Sequence, residues 1–231
     1  MRLRLDDPSL RERTGLGVTV AVLDSGVHAD HPHVGGVQGG ISLALDDDSH
    51  DLLDRIGHGT AVAAAIREKS PATSLLVVKI FHRQLATNAD VLARAIRWAA
   101  DNGAKIINLS LGTANAAHIE RLAEAVVHAA NCGAVVVSAR EANGIPCFPG
   151  ALPNVVGVIA DDTIDRNEIE TRVEGSGLIV RASPFPRPIP NVPRERNLSG
   201  VSFAVANTSG FLARATEHAN GDVVAALRAL D

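Results

Sequence analysis

Short runs of valine, isoleucine and leucine, spaced along most of the chain, constrain the fold more than any other feature of this sequence. The runs are Val18–Leu23, Leu75–Ile80, Lys105–Leu109, Ala134–Ser138 and Val155–Ile159. A half-exposed strand alternates apolar and polar residues, whereas these runs are apolar almost throughout. They therefore predict strands that are buried on both faces of a parallel sheet.

Segments with helical periodicity separate these runs. In Asp90–Ala100 the apolar residues recur every three or four positions, Thr87 with Asp90 forms a capping-box pattern, and Asn102-Gly103 marks the end. Ala116–Ala130 has the same period. The alternation predicts right-handed βαβ crossovers and an α/β fold, a mostly parallel open sheet with helices on both faces. Ligands of such sheets bind beyond the carboxyl ends of the strands.

The chain of 231 residues predicts a single domain, residues 1–231, in which residues 1–17 form an N-terminal extension. It contains no internal repeat and no linker. Five prolines in Ser183–Pro193 forbid a helix interior and a central strand, so this segment is predicted to be a stiff surface loop. The alternative is a polyproline ligand for a partner domain.

Charge and hydropathy exclude several kinds of partner. The 22 basic and 26 acidic side chains give a formal charge of -4, so we expect no nucleic-acid partner. Every apolar stretch is too short to span a bilayer, so no membrane partner is expected. Residues 1–17 lack a signal-peptide core, which predicts a cytoplasmic location. Cys132 and Cys147 are predicted to be reduced thiols, with one disulfide between them as the alternative.

Three polar side chains stand where this architecture places active sites. Asp24 ends the first buried run, His58 lies between Gly57 and Gly59 at the start of an alanine-rich helix, and Ser202 opens a later helix. Taken singly, they are a turn former, a helix-start residue and an N-cap. Together Ser202, His58 and Asp24 are the nucleophile, the base and the acid that amide hydrolysis by serine requires. The helix start at Ser202 also offers N–H donors to an oxyanion.

The motifs around these residues resemble one family. Asp24 in VAVLDSG, His58 in GHGTAVA and Ser202 in GVSFA have the order and context of subtilisin-like serine proteases, the subtilases. SLLVVKIF, AKIINLSLG, GAVVVSA and CFPGALPNVVGV are similar to further family segments, so the likeness runs from Thr19 to Ala215. The resemblance implies a subtilisin-like fold and peptide-bond hydrolysis through an acyl-enzyme. Asp24 would orient His58, and His58 would deprotonate Ser202.

The resemblance also implies where a peptide or protein substrate binds. The backbone of Ser110, Leu111 and Gly112 would pair with the substrate as an added strand and border the pocket for the residue before the cut. Arg140 and Glu141 stand where the family has small residues lining that pocket. They predict a narrow substrate range with a polar or charged residue before the cut. The alternative is an Arg140–Glu141 pair that points into solvent.

The oxyanion hole departs from the family pattern. The family has an asparagine after the fourth buried strand, and a gapless reading from Gly133 puts Ala142 at that position and Asn143 one residue later. If the loop shifts by one residue, Asn143 donates to the oxyanion, and this is the assignment we favour. Without that shift the N–H of Ser202 has a different partner, and the loss costs about a hundred- to a thousand-fold in rate.

No metal and no cofactor are predicted. The loop Glu68–Ser74 is too short for the calcium loop that the resemblance would imply, and His28, His31 and His33 lack a Cys or Glu that would complete a zinc site. A cluster of acids could bind a cation but is more simply a solvated loop. The cluster consists of Asp46, Asp47, Asp48, Asp51 and Asp54.

The predicted function is that of a serine endopeptidase. With no room for a long pro-domain before Thr19, we expect a chain that folds alone and processes a restricted peptide substrate. One alternative is a catalytically impaired, subtilase-like module that binds peptides, to which Ala142 points. The other is an acyl-transferring peptidase that ligates or cyclises its product, which requires water to be kept from the acyl-enzyme.

Overall fold

A computed structural model describes residues 1–45, 47–174, 177–218 and 225–226, so Asp46 of the acid cluster lies outside the described residues. The strands are β1 (Arg2–Arg4), β2 (Thr19–Asp24), β3 (Gly39–Ser42), β4 (Ser74–Lys79), β5 (Ile106–Leu109), β6 (Val135–Ala139), β7 (Glu141–Ala142), β8 (Ile145–Pro146), β9 (Val155–Ala160), β10 (Glu168–Glu174) and β11 (Gly177–Ala182). The α-helices are α1 (His58–Lys69), α2 (Ala89–Asp101), α3 (Ile119–Asn131) and α4 (Val201–Ala215).

The main sheet, as far as the described residues show it, has nine strands in the order β1-β10-β11-β9-β6-β5-β2-β4-β3. The strands from β11 to β3 pair in parallel, and β10 is antiparallel to both of its neighbours. After β2 the chain adds β4 on one side and then β5 on the other. The order of the strands reverses at β2, so the crevice at its carboxyl end is the expected ligand site.

The two faces of the sheet are covered by different helices. Val20 and Val22 of β2 pack into one core with α1 and α4, while Ala21 and Leu23 pack into a second core with α2 and α3. Successive side chains of a strand point to opposite faces, so the sheet is buried on both sides. The predicted α/β architecture with helices on both faces is confirmed.

The predicted elements hold with small changes at their ends. The five apolar runs become β2, β4, β5, β6 and β9. Asn88, not Thr87, caps α2, because its side chain accepts a hydrogen bond from the N–H of Val91 at 3.0 Å. Ala116–His118 forms a separate 3-10 helix before α3. The chain is wound more tightly there than the α-helical period predicted.

The N-terminal extension is part of the sheet. Residues 2–4 form β1 and pair with β10, where Arg4 lies opposite Glu168. The ammonium group of Met1 donates to the carbonyl oxygen of Thr171 at 2.9 Å, and the side chain of Leu10 is fully buried. Residues 1–17 therefore close one edge of the molecule.

The proline-rich loop is fastened to α4. The side-chain amide of Asn207 donates to the carbonyl oxygens of Ser183 at 3.0 Å and Phe185 at 3.1 Å. The guanidinium of Arg194 lies 3.6 Å from the centre of the Phe185 ring. These contacts hold the start of the proline-rich loop against α4, and Arg194 ties the later part of the loop to its start.

Both cysteines are free, Cys132 at the surface and Cys147 in the interior. No helix among the described residues has the length and apolar character needed to cross a membrane.

Candidate active site

Asp24 is the last residue of β2, at the strand where the sheet order reverses, and its side chain is fully buried. Its Oδ1 accepts a hydrogen bond from the N–H of Ser25 at 2.8 Å. The chain turns at Gly26, whose φ of 96° lies in the left-handed region that favours glycine. The strand therefore delivers a carboxylate into the crevice expected to bind ligands.

His58 is the first residue of α1, and its Nδ1 lies 2.7 Å from Asp24 Oδ1. This close approach depends on the next residue, because a Cβ on Gly59 would lie 2.1 Å from the carbonyl oxygen of Gly26. A glycine is needed where α1 meets the end of β2. The ring is 16% exposed, so its other nitrogen can face a substrate.

The environment raises the pKa of His58. Burial alone lowers the pKa, since it disfavours the charged imidazolium, but the hydrogen bond and charge of Asp24 and the charge of Asp54 outweigh burial. The two carboxylates therefore stabilise the imidazolium that forms when His58 takes a proton. Such stabilisation is what a general base needs in the transition state.

Asp54 organises the turn before His58. Its Oδ1 accepts from the N–H groups of Ile56 at 2.9 Å and Gly57 at 2.8 Å, and from the hydroxyl of Ser25 at 2.9 Å. Its Oδ2 accepts from the N–H and the hydroxyl of Thr60. These bonds hold the pKa of Asp54 below its ordinary value, although burial opposes this. Asp54 is therefore a local cap for α1, and the sequence analysis did not assign it this role. The available signal was an acid six residues before Thr60, in the first turn of the helix.

Ser202 lies in the first turn of α4, after Gly200, whose φ is 152°. Its hydroxyl donates a hydrogen bond to the carbonyl oxygen of Ser110 at 3.0 Å. The ring of the next residue, Phe203, lies 5.6 Å from the ring of His58, measured between centroids. The structure thus brings the start of α4 against His58, with the hydroxyl bonded to the end of β5.

A buried polar network joins β5 to α4. Asn108 donates to the hydroxyl of Ser110 at 2.9 Å and accepts from the hydroxyl of Ser209 at 2.9 Å. Asn108 and Ser209 are fully buried. A satisfied buried network fixes one arrangement of its elements, so the distance between Ser110 and the start of α4 is set by these bonds. Sequence reasoning missed both Asn108 and Ser209, because the network crosses between distant elements.

The segment Ser110-Leu111-Gly112 follows β5 and is held along one side. The hydroxyl of Ser138 donates to the carbonyl oxygen of Leu111 at 3.0 Å. Thr113 and Phe148 exchange two backbone hydrogen bonds of 2.9 Å. A Cβ on Gly112 would lie 3.0 Å from the Cβ of Cys147, so the chain directly after β8 packs against this segment.

Asn143 lies at the tip of a hairpin. β7 and β8 form a hairpin whose two-residue turn is Asn143-Gly144, with φ of 54° and 77°. Asn143 is exposed at the tip, and its side chain has no hydrogen bond to Ser202 or to any other described residue. Asn-Gly is the strongest short signal for a tight hairpin, and this turn chemistry accounts for the position of Asn143.

Arg140 and Glu141 do not pair with each other. Arg140 Nη2 lies 3.2 Å from Glu174 Oε2 on β10, and the two side chains are 33% and 55% exposed. Glu141 begins the hairpin and is half-buried. The ion pair of Arg140 is therefore with Glu174 rather than with Glu141, and the predicted preference for a polar or charged residue before the cut stays a prediction.

The acid cluster is not a solvated loop. Lys79, at the end of β4, is fully buried, and its Nζ lies 2.7 Å from Asp47 and 3.3 Å from Asp51. These carboxylates neutralise an internal lysine, while Asp54 caps α1. Asp48 remains exposed and accepts a hydrogen bond from the N–H of His50. The lysine lies too far along the sequence for the pattern of acids to reveal it.

A cavity of about 490 Å³ adjoins the start of α1 on the side of the proline-rich loop. The rings of His31 and His33 line it and meet edge to face, 5.1 Å apart between centroids. Arg187 and Leu198 also line it. Burial is the main cause that lowers the pKa of His33, and the neighbouring charges of Arg187 and His31 lower it further. The predicted lack of a zinc site at His28, His31 and His33 stays a prediction.

The fold and these side chains define a class, an α/β protein with aspartate, histidine and serine at the carboxyl edge of a parallel sheet. The profile described as the subtilase family matches residues 15–230, so the chain belongs to the subtilase family. Its fold is therefore subtilisin-like, as the motifs implied, and its family is one of serine peptidases.

Curated relatives and solved structures agree with this membership. The chain is 34% identical to thermitase from Thermoactinomyces vulgaris, over 86% of this chain and 76% of thermitase. It is 30% identical to subtilisin Savinase from Lederbergia lenta, over 94% of this chain and 80% of that protein. A thermophilic serine proteinase of Bacillus sp. (strain AK1) is 37% identical, over 65% of this chain and 40% of that protein.

The fold is also similar to that of the nisin leader peptidase NisP from Lactococcus lactis. The TM-score is 0.70, with 19% identity, 91% of this chain and 81% of that chain covered. A cold adapted subtilisin-like serine proteinase gives a TM-score of 0.70 with 22% identity, over 91% of this chain and 79% of the other. At these identities the likeness establishes the fold alone.

Proposed function

We propose that this chain is a catalytically active serine endopeptidase in which Asp24, His58 and Ser202 form the catalytic triad. The observation that carries the proposal is the 2.7 Å contact between Asp24 Oδ1 and His58 Nδ1, made by a fully buried carboxylate. This contact fixes the imidazole tautomer and leaves Nε2 as the base. His58 then accepts the proton of Ser202 as the hydroxyl attacks the scissile carbonyl, and it passes this proton to the leaving amine. Water then hydrolyses the acyl-enzyme and restores the Ser202 hydroxyl.

Substrate binding would free the Ser202 hydroxyl to approach His58. In the free protein the Ser202 hydroxyl is bonded to the carbonyl oxygen of Ser110. A substrate strand added along Ser110–Gly112 brings a backbone N–H that can take over this acceptor. Rotation to another staggered rotamer then turns the hydroxyl away from Ser110 and towards His58.

The oxyanion would be stabilised mainly by α4. The first N–H groups of a helix have no intrahelical partner, and the helix dipole adds positive potential at this end. We propose that Asn143, exposed at the hairpin tip, does not supply a second side-chain donor. Loss of one such donor costs about a hundred- to a thousand-fold, so we propose a slow peptidase.

Two features support a restricted peptide or protein substrate. Cys147, directly after β8, packs against Gly112, and its N–H donates to the carbonyl oxygen of Arg140 at 2.8 Å, so the Arg140-Glu141 segment begins one strand away from the proposed substrate strand. The cavity beside α1, with Arg187 at its wall, offers a second specificity pocket. We propose a polar or charged residue before the cut, and profiling with a peptide library tests it; a preference for large apolar residues there would count against it.

A second candidate is a module that binds peptides without cutting them. It is favoured by the exposure of Asn143 and by the Ser202–Ser110 hydrogen bond, which a binder could retain. Incubation with a peptide library and mass spectrometry of the products separates the candidates. New termini that carry one added water support the hydrolase. An acyl fragment that is cyclic or joined to another amine, and so lacks the water of its hydrolysis product, supports cyclisation or ligation, and retention of intact peptides supports the binder. Ser202→Ala is the control that must abolish either chemical product.

A further inference from the structure

Three side chains with metal-binding atoms meet at the surface, far from the candidate active site. They are Asp101, the last residue of α2, His128, in the last turn of α3, and Cys132, which follows α3. Both helices end just before a strand begins, so the cluster lies at the amino ends of β5 and β6. Asp24 lies at the carboxyl end of β2, at the opposite edge of the parallel sheet.

The distances suit a tetrahedral metal ion. Cys132 Sγ lies 3.7 Å from His128 Nε2 and 3.9 Å from Asp101 Oδ1. Zinc bonds of about 2.3 Å to sulfur and about 2.0 to 2.1 Å to nitrogen and oxygen separate tetrahedral ligands by about 3.3 to 3.7 Å. The sulfur therefore has the required spacing to His128 and lies only about 0.2 Å too far from Asp101. The contact of 2.6 Å between His128 Nε2 and Asp101 Oδ1 has to open by about 0.7 Å.

The charge at this point of the fold suits a cation. The carboxyl ends of α2 and α3 meet here, and each carries partial negative charge. A carboxylate, a thiolate and a neutral imidazole together supply two negative charges, which balance a divalent ion. Within the part of the chain that the structure describes, this is the one group of three such residues whose ligand atoms converge.

We propose that Asp101, His128 and Cys132 bind a zinc ion, with water as the fourth ligand. Binding forms a bond between sulfur and zinc and releases the thiol proton of Cys132 to solvent, while His128 binds through its unprotonated Nε2. The ion joins the end of α2 to the end of α3. Asp101 and His128 are 27 residues apart, which is why the sequence did not reveal the site, although a histidine and a cysteine four residues apart were a partial signal.

Titration of the full chain with Co²⁺ tests the site, because cobalt replaces zinc and reports its ligands by absorption. We expect visible bands of a tetrahedral site together with a near-ultraviolet charge-transfer band, which requires a thiolate ligand. Zinc added in excess removes both. Cys132→Ser removes the charge-transfer band, and His128→Ala weakens Co²⁺ binding at least about tenfold, the loss that even an outer-shell partner causes.

Cys147→Ser is the matched control, since it removes the only other thiol, which is buried elsewhere. This variant keeps the charge-transfer band. The thermal unfolding midpoint of the wild type rises with zinc, and that of Cys132→Ser does not. Absence of the band in the folded wild type overturns the proposal, as does a band that survives in Cys132→Ser. Binding at the histidines near His31 gives no thiolate band and is told apart in this way.

Discussion

The hydroxyl of Ser202 donates a hydrogen bond of 3.0 Å to the carbonyl oxygen of Ser110. One partner lies in the first turn of α4, and the other directly follows β5. The nucleophile proposed for hydrolysis therefore rests against the segment proposed to bind substrate. In the proposed mechanism, substrate binding and activation of the hydroxyl share this one acceptor atom.

The pH dependence of activity tests the role of Asp54. The pKa of His58 lies above its ordinary value of 6.5, partly because of the charge of Asp54. Hydrolysis requires neutral His58, so activity falls as the pH drops through this raised pKa. Asp54→Asn removes the charge, and we expect the acidic limb of kcat/KM to move to lower pH.

The control for this shift is Asp48→Asn. Asp48 is an exposed acid of the same loop, and it accepts a hydrogen bond from the N–H of His50. Its pH profile is expected to match that of the wild type. An acidic limb that stays in place in Asp54→Asn, or moves to higher pH, contradicts the assignment. A purely structural role of Asp54 would lower the amount of folded protein without moving the limb.

Gly59→Ala tests the close approach of α1 to β2. The added Cβ would meet the carbonyl oxygen of Gly26 at 2.1 Å, so α1 has to shift away from Asp24. A displacement of about 1 Å costs about a hundred-fold in rate. We expect kcat/KM to fall by about this factor while the circular dichroism spectrum is retained. Unchanged kinetics would show that the contact between His58 and Asp24 does not depend on this glycine.

Stability measurements test the network between β5 and α4. Ser209→Ala removes the hydrogen-bond donor to the buried Oδ1 of Asn108. An unsatisfied buried acceptor costs about 1 to 3 kcal/mol, and we expect this loss in the free energy of unfolding measured with urea. Ser199→Ala, at an exposed serine, is expected to change it by less than about 0.5 kcal/mol. Equal effects of the two variants would contradict the network.

Lys79→Met tests whether the ammonium group of Lys79 balances the charges of Asp47 and Asp51. The variant leaves Asp47 and Asp51 without the buried ammonium group that lies between them. Loss of one partner of a buried ion pair costs about 3 to 5 kcal/mol, and we expect a loss of this size in chemical denaturation. Lys105→Met, at an exposed lysine, is the matched control and is expected to change stability little. A stable Lys79→Met would mean that these carboxylates are effectively solvated.

The sequence predicted what local patterns determine. Apolar runs such as Val155–Ile159 specified the parallel strands, and the motifs around Asp24 and His58 placed these residues at the ends of the correct elements. The sequence could not predict contacts between distant elements, such as that between Lys79 and Asp47. Asn143-Gly144 carried the local turn signal for the hairpin that the structure shows.

Labelling with a fluorophosphonate tests the central claim most directly, because this reagent reacts only with a serine that a base activates. We expect the folded wild type to be labelled, with the added mass on the peptide that contains Ser202. Ser199→Ala, three residues away, is expected to label like the wild type, whereas Ser202→Ala and His58→Ala are not labelled. A folded wild type that stays unlabelled, or a label on a different serine, contradicts the proposed triad.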